Sequence, residues 1–139
     1  RYGENISDLL AISGYAIKDI KDVTTGERVY TPLKSMSLWG EIHTNGNPQV
    51  GIFGGLTSNN GTKEAMSDAN NQVFGLGTTI RTLYRISPRI MYNSGKVRLA
   101  LELEYTNAAY GSNYDASYIP AETIPVGNMR GLIAIYYFF

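Results

Sequence analysis

Six charged side chains stand out by their placement. Arg81, Arg85, Arg98, Glu102, Glu104 and Arg130 all fall on the polar parity of segments that alternate with period two. Basic and acidic groups opposed across neighbouring strands do one of two things. They pair and hold the strands in register, or they set up a transverse field that favours small polar solutes over apolar ones. Parity alone leaves both open. His43 is the one histidine and sits near a turn, where a solvated strand end is the ordinary reading. A catalytic dyad would need a serine or carboxylate brought to it from elsewhere, so the chain is not read as an enzyme. Asp68-Ala69-Asn70-Asn71 and Asn113-Tyr114-Asp115 offer oxygen ligands but lack calcium-loop spacing and a terminal Glu, and read as solvated loops. Gly75-Leu76-Gly77 and Gly51-Ile52-Phe53-Gly54-Gly55 lie inside strand patterns with no helix after them, so the phosphate cradle is missing. No metal or cofactor is expected.

The elements that must carry these residues are strands. From Lys96 to Thr106, Val97, Leu99, Leu101, Leu103 and Tyr105 alternate with Arg98, Ala100, Glu102, Glu104 and Thr106. A helix would scatter those charges around its circumference and leave no apolar stripe. Asn93-Ser94-Gly95 predicts a tight hairpin back to a partner running from about Val73 to Tyr92, with Pro88 at a bulge beyond which the parity shifts. A second hairpin joins Ser35–His43 to Gln49–Thr57 through Asn45-Gly46-Asn47-Pro48, with Val50, Ile52, Gly54 and Leu56 outward. Leu9 to Ile20 fits a strand, or a helix capped by Asp8 or Ser7; Ser13-Gly14 in its middle favours the strand. The last segment, Asn128 to Phe139, alternates again and ends on an aromatic.

Composition narrows the classes. The 139 residues fit one structural unit, 1–139, and Lys+Arg 12 against Asp+Glu 12 leaves no basic field for nucleic acid. Cysteine is absent, which removes disulfides, thiolate metal sites and cysteine nucleophiles. High glycine and tyrosine with few charges point to a turn-rich β-structure. The longest apolar run, Leu132 to Phe139, is far short of the roughly 20 residues of a spanning helix. Arg1-Tyr2-Gly3-Glu4-Asn5 lacks the pattern of a secretory signal, so the chain is expected to be mature or a piece of something longer.

Six strands leave five connections whose expected lengths alternate: long at Lys21–Thr31, short at Asn45–Pro48, long at Ser58–Gln72, short at Asn93–Gly95, long at Asn107–Val126. A soluble sandwich has no reason to sort its loops by length. An outer-membrane barrel does, with short periplasmic turns and longer extracellular loops. The expected fold is therefore all-β: an antiparallel up-and-down transmembrane β-barrel, with Tyr84, Tyr105, Tyr137 and Phe139 in aromatic girdles. Arg81, Arg85, Arg98, Glu102, Glu104 and Arg130 would then line the pore. Hydrocarbon offers no partner to backbone N–H and C=O groups, so such a sheet must close on itself. Eight strands are the smallest usual number, so six imply part of a larger barrel, strands shared between chains, or a hairpin missed near residues 1 to 32.

The carboxyl terminus, Gly131-Leu132-Ile133-Ala134-Ile135-Tyr136-Tyr137-Phe138-Phe139, resembles the closing strand of Gram-negative outer-membrane β-barrels. The stretch Arg85-Ile86-Ser87-Pro88-Arg89-Ile90-Met91-Tyr92-Asn93-Ser94-Gly95-Lys96 is similar to the carboxyl-terminal part of porin-like barrels of the Bacteroidetes type. So are Glu102-Leu103-Glu104-Tyr105 and Ala108-Ala109-Tyr110-Gly111, and the resemblance covers most of the chain from about Asp8 onward. It implies that Gly131, Ile133, Ile135, Tyr137 and Phe139 form the signal read by the barrel-assembly machinery. It also implies an outer-membrane location with the carboxyl terminus periplasmic, and a channel for passive diffusion of small polar solutes. The partners expected are outer-membrane lipid, that machinery, the solutes, and other chains or the rest of the same barrel. Two other classes stay open: a non-channel barrel acting as adhesin, structural element or docking subunit, and a soluble β-sandwich or lipocalin-like binder. Conductance separates the first, detergent dependence the second.

Overall fold

Period-two alternation gives each strand two chemically different faces, and pairing in register gathers like residues into continuous surfaces. The computed structural model describes residues 2–4 and 12–139. Its strands are β1 Tyr2–Glu4, β2 Ser13–Asp22, β3 Glu27–His43, β4 Gln49–Thr62, β5 Val73–Leu76, β6 Ile80–Ser94, β7 Val97–Tyr114 and β8 Pro120–Tyr137. All pairs are antiparallel and form one sheet in the order β5-β2-β3-β4-β6-β7-β8, curled like half a barrel. The short β1 lies on the same flank of β3 as β2, pairing Tyr2 with Met36 and Glu4 with Lys34. The all-β antiparallel expectation is met, with six strands of ten residues or more and two short ones beside them among the described residues. The segment Leu9–Ala11 of the expected first strand lies outside the described residues.

Three expectations on connectivity are corrected. The Val73–Tyr92 strand divides: β5 pairs with β2, and a turn at Gly77–Thr79 precedes β6. Glycine makes that division, since Gly77 takes φ 58° and Gly75 φ 146°. Second, Pro88 causes neither a bulge nor a parity shift. Its register with β4 runs unbroken, Ile52 opposite Pro88 and Gly51 opposite Arg89. Only the pairing towards β7 lapses, between Ile86–Tyr105 and Arg89–Glu102, where the missing proline N–H leaves the ladder a bond short. The bulge in β6 lies instead between Ile80 and Thr82. Third, the expected long loops are largely strand. Residues 107–114 and 120–126 extend β7 and β8, and the β2–β3 connection shrinks to Val23–Gly26.

Strand length replaces loop length as the asymmetry. Eighteen residues in β7 or β8 reach roughly 60 Å at about 3.3 Å per residue, whereas 9–11 tilted residues are enough to span a bilayer. The apolar alternation occupies the end nearest the Thr44–Pro48 and Gly95–Lys96 turns, and Asn, Ser and Thr dominate the other end.

The buried apolar clusters also sit at that far end. Ile12, Leu83 and Ala108 form one; Ala16, Leu33, Met66 and Tyr118 form the other. The connection 63–72 is a strap tied to both flanks of the sheet. Lys63 N–H donates to Pro32 O (2.9 Å) and Ser67 N–H to Lys18 O (2.8 Å) on one side, and Met66 N–H donates to Ala116 O (2.7 Å) on the other. Tyr118, in the β7–β8 turn, stacks on Tyr114 with centroids 4.2 Å apart. Glu64 on the strap pairs with Lys18, whose hydrogen bond and positive charge hold the carboxyl below its ordinary range. A depressed carboxyl pKa stabilises the folded form above the ordinary value of 4.5, and that contribution fades as pH falls through the folded value. The Glu64 carboxyl carbon is thus expected to titrate lower in the folded protein than in Lys18→Ala; equal titration points would disprove the tether.

Candidate functional site

Ladder register sorts the side chains of β3, β4, β6, β7 and β8 onto two faces. One carries Leu38 opposite Leu56 opposite Tyr84, Ile42 opposite Ile52 opposite Pro88, and Val50 opposite Ile90 opposite Leu101 opposite Ile133. From Met36–Ile42, Val50–Ser58, Thr82–Ser94, Val97–Asn107 and Gly127–Tyr137, no residue of this parity bears a charge. The other face holds all the charges of these stretches. Exposure is inverted relative to a water-soluble sheet: Thr57 and Ser87 on the polar face are 1% and 2% exposed, whereas Leu38 and Ile133 on the apolar face are 71% and 78% exposed. The polar face is the inside of the curl.

Polar-face charges form two groups and two outliers. Glu104, on β7, receives Arg130 from its cross-strand partner position on β8 (3.0 Å) and Arg85 from β6 (3.4 Å). Arg85 Nε also donates to Thr106 Oγ1 (3.1 Å), fixing the guanidinium across the β6–β7 pair. In the second group Arg89 crosses β4 to pair with Glu41 on β3, and His43 Nδ1 lies 3.3 Å from the same carboxylate. Glu102 is the β7 register partner of Arg89. Arg98, near the short-turn end, donates from Nε to Asn93 Oδ1 (2.8 Å) and lies over the Phe138 ring at 5.5 Å. Asn93 is itself held by Asn47 of the neighbouring turn, which exchanges two 2.9 Å hydrogen bonds with its backbone. Arg81, at the opposite end, donates to the Asn59 backbone carbonyl.

Of the six charges singled out by spacing, Arg85, Glu104 and Arg130 come together; Glu102 lies one group away, and Arg98 and Arg81 stand at the two ends. Sequence reasoning left out Arg89 and Glu41. Arg89 lies beyond Pro88, where the sequence predicts a parity shift; the unbroken β4 register keeps it on the polar face. Glu41 was already on the polar parity of its strand, but its partner is two strands away. Gly51 makes that reach possible: a Cβ there would stand 3.3 Å from Arg89 Nε and 3.2 Å from His43 Cβ. Valine ordinarily improves a strand over glycine. Here Gly51→Val is expected to cost about 1–3 kcal/mol through overpacking. Adding Arg89→Ala should recover part of it in denaturant titrations, the His43 Cβ contact remaining, and strictly additive losses would rule the Arg89 contact out.

The remaining candidates resolve locally. Asp68 accepts from the Asn70 backbone (2.8 Å) and Asp115 from the Ser117 and Ile119 backbones (2.9 and 2.8 Å), so each closes its own loop. Among the described residues no group of three His, Cys, Asp or Glu is placed to hold a metal ion. Gly131, Ile133, Ile135 and Tyr137 follow one another on the apolar face of β8, and Phe139 lies just past its end, fully exposed and edge-on to Tyr137 at 5.5 Å. No family model matches the chain, and no curated protein or solved structure matches it.

Proposed function

We propose that this chain is part of the wall of an outer-membrane β-barrel with its apolar face in lipid and its polar face on a water-filled lumen, passing small polar solutes by diffusion. The observation that carries this reading is the charge-free, exposed apolar face extending over five neighbouring strands. Soluble monomers rarely expose more than a few hundred Å² of contiguous apolar surface, whereas a spanning strand must expose such a face to acyl chains. A sandwich or lipocalin-like binder would bury its apolar side and wet its polar one; the exposure here runs the other way. Tyr84, Tyr105, Tyr92 and Tyr137 lie on the apolar parity towards the ends of the belt, where aromatic girdles belong.

Closure follows from strand direction. Among the described residues β8 pairs only with β7, and β3 from Ser37 to His43 only with β4. Those edges need partners in lipid. Because β8 and β1 run in opposite directions, antiparallel closure takes an even number of further strands, from the same polypeptide or another chain. A second reading, a barrel that does not conduct, is favoured by the strap 63–72 across the far end. Planar-bilayer recording of the protein separates the two: stepwise conductance is expected, and silence at every voltage would leave only the non-conducting barrel.

A further inference from the structure

We infer that the inner face of β6, β7 and β8 binds a short zwitterionic peptide, its ammonium on Glu102, its carboxylate on Arg98 and a small apolar side chain in the pocket between them. The inference deepens the lumen reading above and rests on it only in that the inner face must be wet. β7 bears three charges, Arg98, Glu102 and Glu104. Glu104 is satisfied by Arg85 and Arg130. Glu102 makes no hydrogen bond or ion pair among the described residues, because Arg89, its register partner on β6, crosses Gly51 to Glu41 instead. Arg98 meets the Asn93 amide oxygen and the Phe138 ring, and no carboxylate. A carboxylate and a guanidinium without opposite charges thus share one face of one strand, about 13 Å apart by strand rise.

Between them the sheet is hollowed. Ala100 lies in register between Met91 and Ala134, and the rows on either side carry Glu102 beside Leu132 and Arg98 beside Tyr136. Two alanines between larger rows leave a pocket of about 110 Å³ on the inner side, walled by Met91, Leu132 and Tyr136 together with Arg89 and Glu102. Ligand chemistry follows from the spacing. The ammonium and carboxylate of a free amino acid share one carbon and cannot serve groups set this far apart. The termini of a di- or tripeptide stand further apart, by about 3.3–3.6 Å per residue. A solute of one sign only would meet a like charge at one end of the pocket and leave the other charge unanswered.

Equilibrium binding of dialanine to the full chain in micelles, followed at the Ala100 and Ala134 methyl resonances, tests this without needing a current. Saturable shifts are expected, and N-acetyl-dialanine and dialanine amide should each bind at least about tenfold more weakly, since each lacks one charge-assisted hydrogen bond. Glu102→Gln should abolish only the preference over the acetylated form, and Arg98→Gln only the preference over the amide. Blocked peptides binding as well as dialanine, free alanine binding better, or no shift at all would overturn the site. The peptide series on the unaltered protein decides the matter even if a variant fails to fold. Conductance read separately keeps two failures apart. Current without dialanine binding overturns the site and leaves the channel, whereas binding without current upholds the site and removes diffusion through the wall.

Discussion

Leu101→Arg is expected to cost about 2–4 kcal/mol of folding free energy in phosphatidylcholine vesicles, while Ala100→Arg, one residue away, costs far less. Leu101 sits mid-row on the apolar face between Ile90 and Ile133, and is 43% exposed. For a protein in water, an arginine at so exposed a site would change stability by no more than about 0.5 kcal/mol. In lipid the same exposure puts the guanidinium among acyl chains, and the cost falls in the 2–4 kcal/mol range, a shift of roughly 30- to 1000-fold in the folding equilibrium. Ala100 lies on the opposite face, inside the curl between Met91 and Ala134, where on the proposed channel reading a guanidinium would meet Glu102 and solvent. Urea titration of both variants folded into vesicles reads the difference directly. Equal losses, or a harmless Leu101→Arg, would mean that this face does not meet lipid.

The contrast between those two neighbours is also where the sequence is most legible. Strict alternation in Lys96–Thr106 contains strand, faces and hairpin together, because every side chain on one parity is apolar and nothing interrupts the pattern. The same holds for β3, β4 and β8, whose apolar sets were readable residue by residue. What local pattern does not contain is where polar sequence stops being loop. The segments Thr57–Thr62, Asn107–Tyr114 and Pro120–Asn128 are rich in turn-forming residues yet pair over most of their length, with lapses at Asn60–Gly61 and at Asn113, because long neighbouring strands supply the ladder. Nor does it contain the lateral reach of a side chain. Glu104 and its two arginines are read from parity on adjacent strands, whereas Arg89–Glu41 depends on Gly51 vacating the strand between them. The expected effect of Pro88 failed for a further reason: a proline whose nitrogen faces only one neighbour removes bonds on that side and leaves the other register intact.

Glu104→Gln is expected to destabilise the protein by about 2 kcal/mol, and Arg130→Gln by less than about 1 kcal/mol, although the two residues share one salt bridge. The asymmetry comes from burial. The Glu104 side chain is 11% exposed and is approached by Arg85 and Arg130, whose own side chains are 28% and 62% exposed. Removing the carboxylate leaves Arg85 partly desolvated without a counter-charge beside the stretch where Pro88 has already thinned the ladder. Removing Arg130 leaves Glu104 still paired with Arg85 and within 3.5 Å of the Thr106 hydroxyl, so the buried charge keeps its partners. Loss of a buried partner costs about 3–5 kcal/mol when both groups are fully enclosed, and solvent screening at the two arginines lowers that here. The double variant should therefore lie close to Glu104→Gln alone, since Arg130 contributes little once its carboxylate is gone. Denaturant titration of the three variants in micelles gives the cycle, and equal single losses would place Glu104 in open solvent and remove it as the tie between β6, β7 and β8.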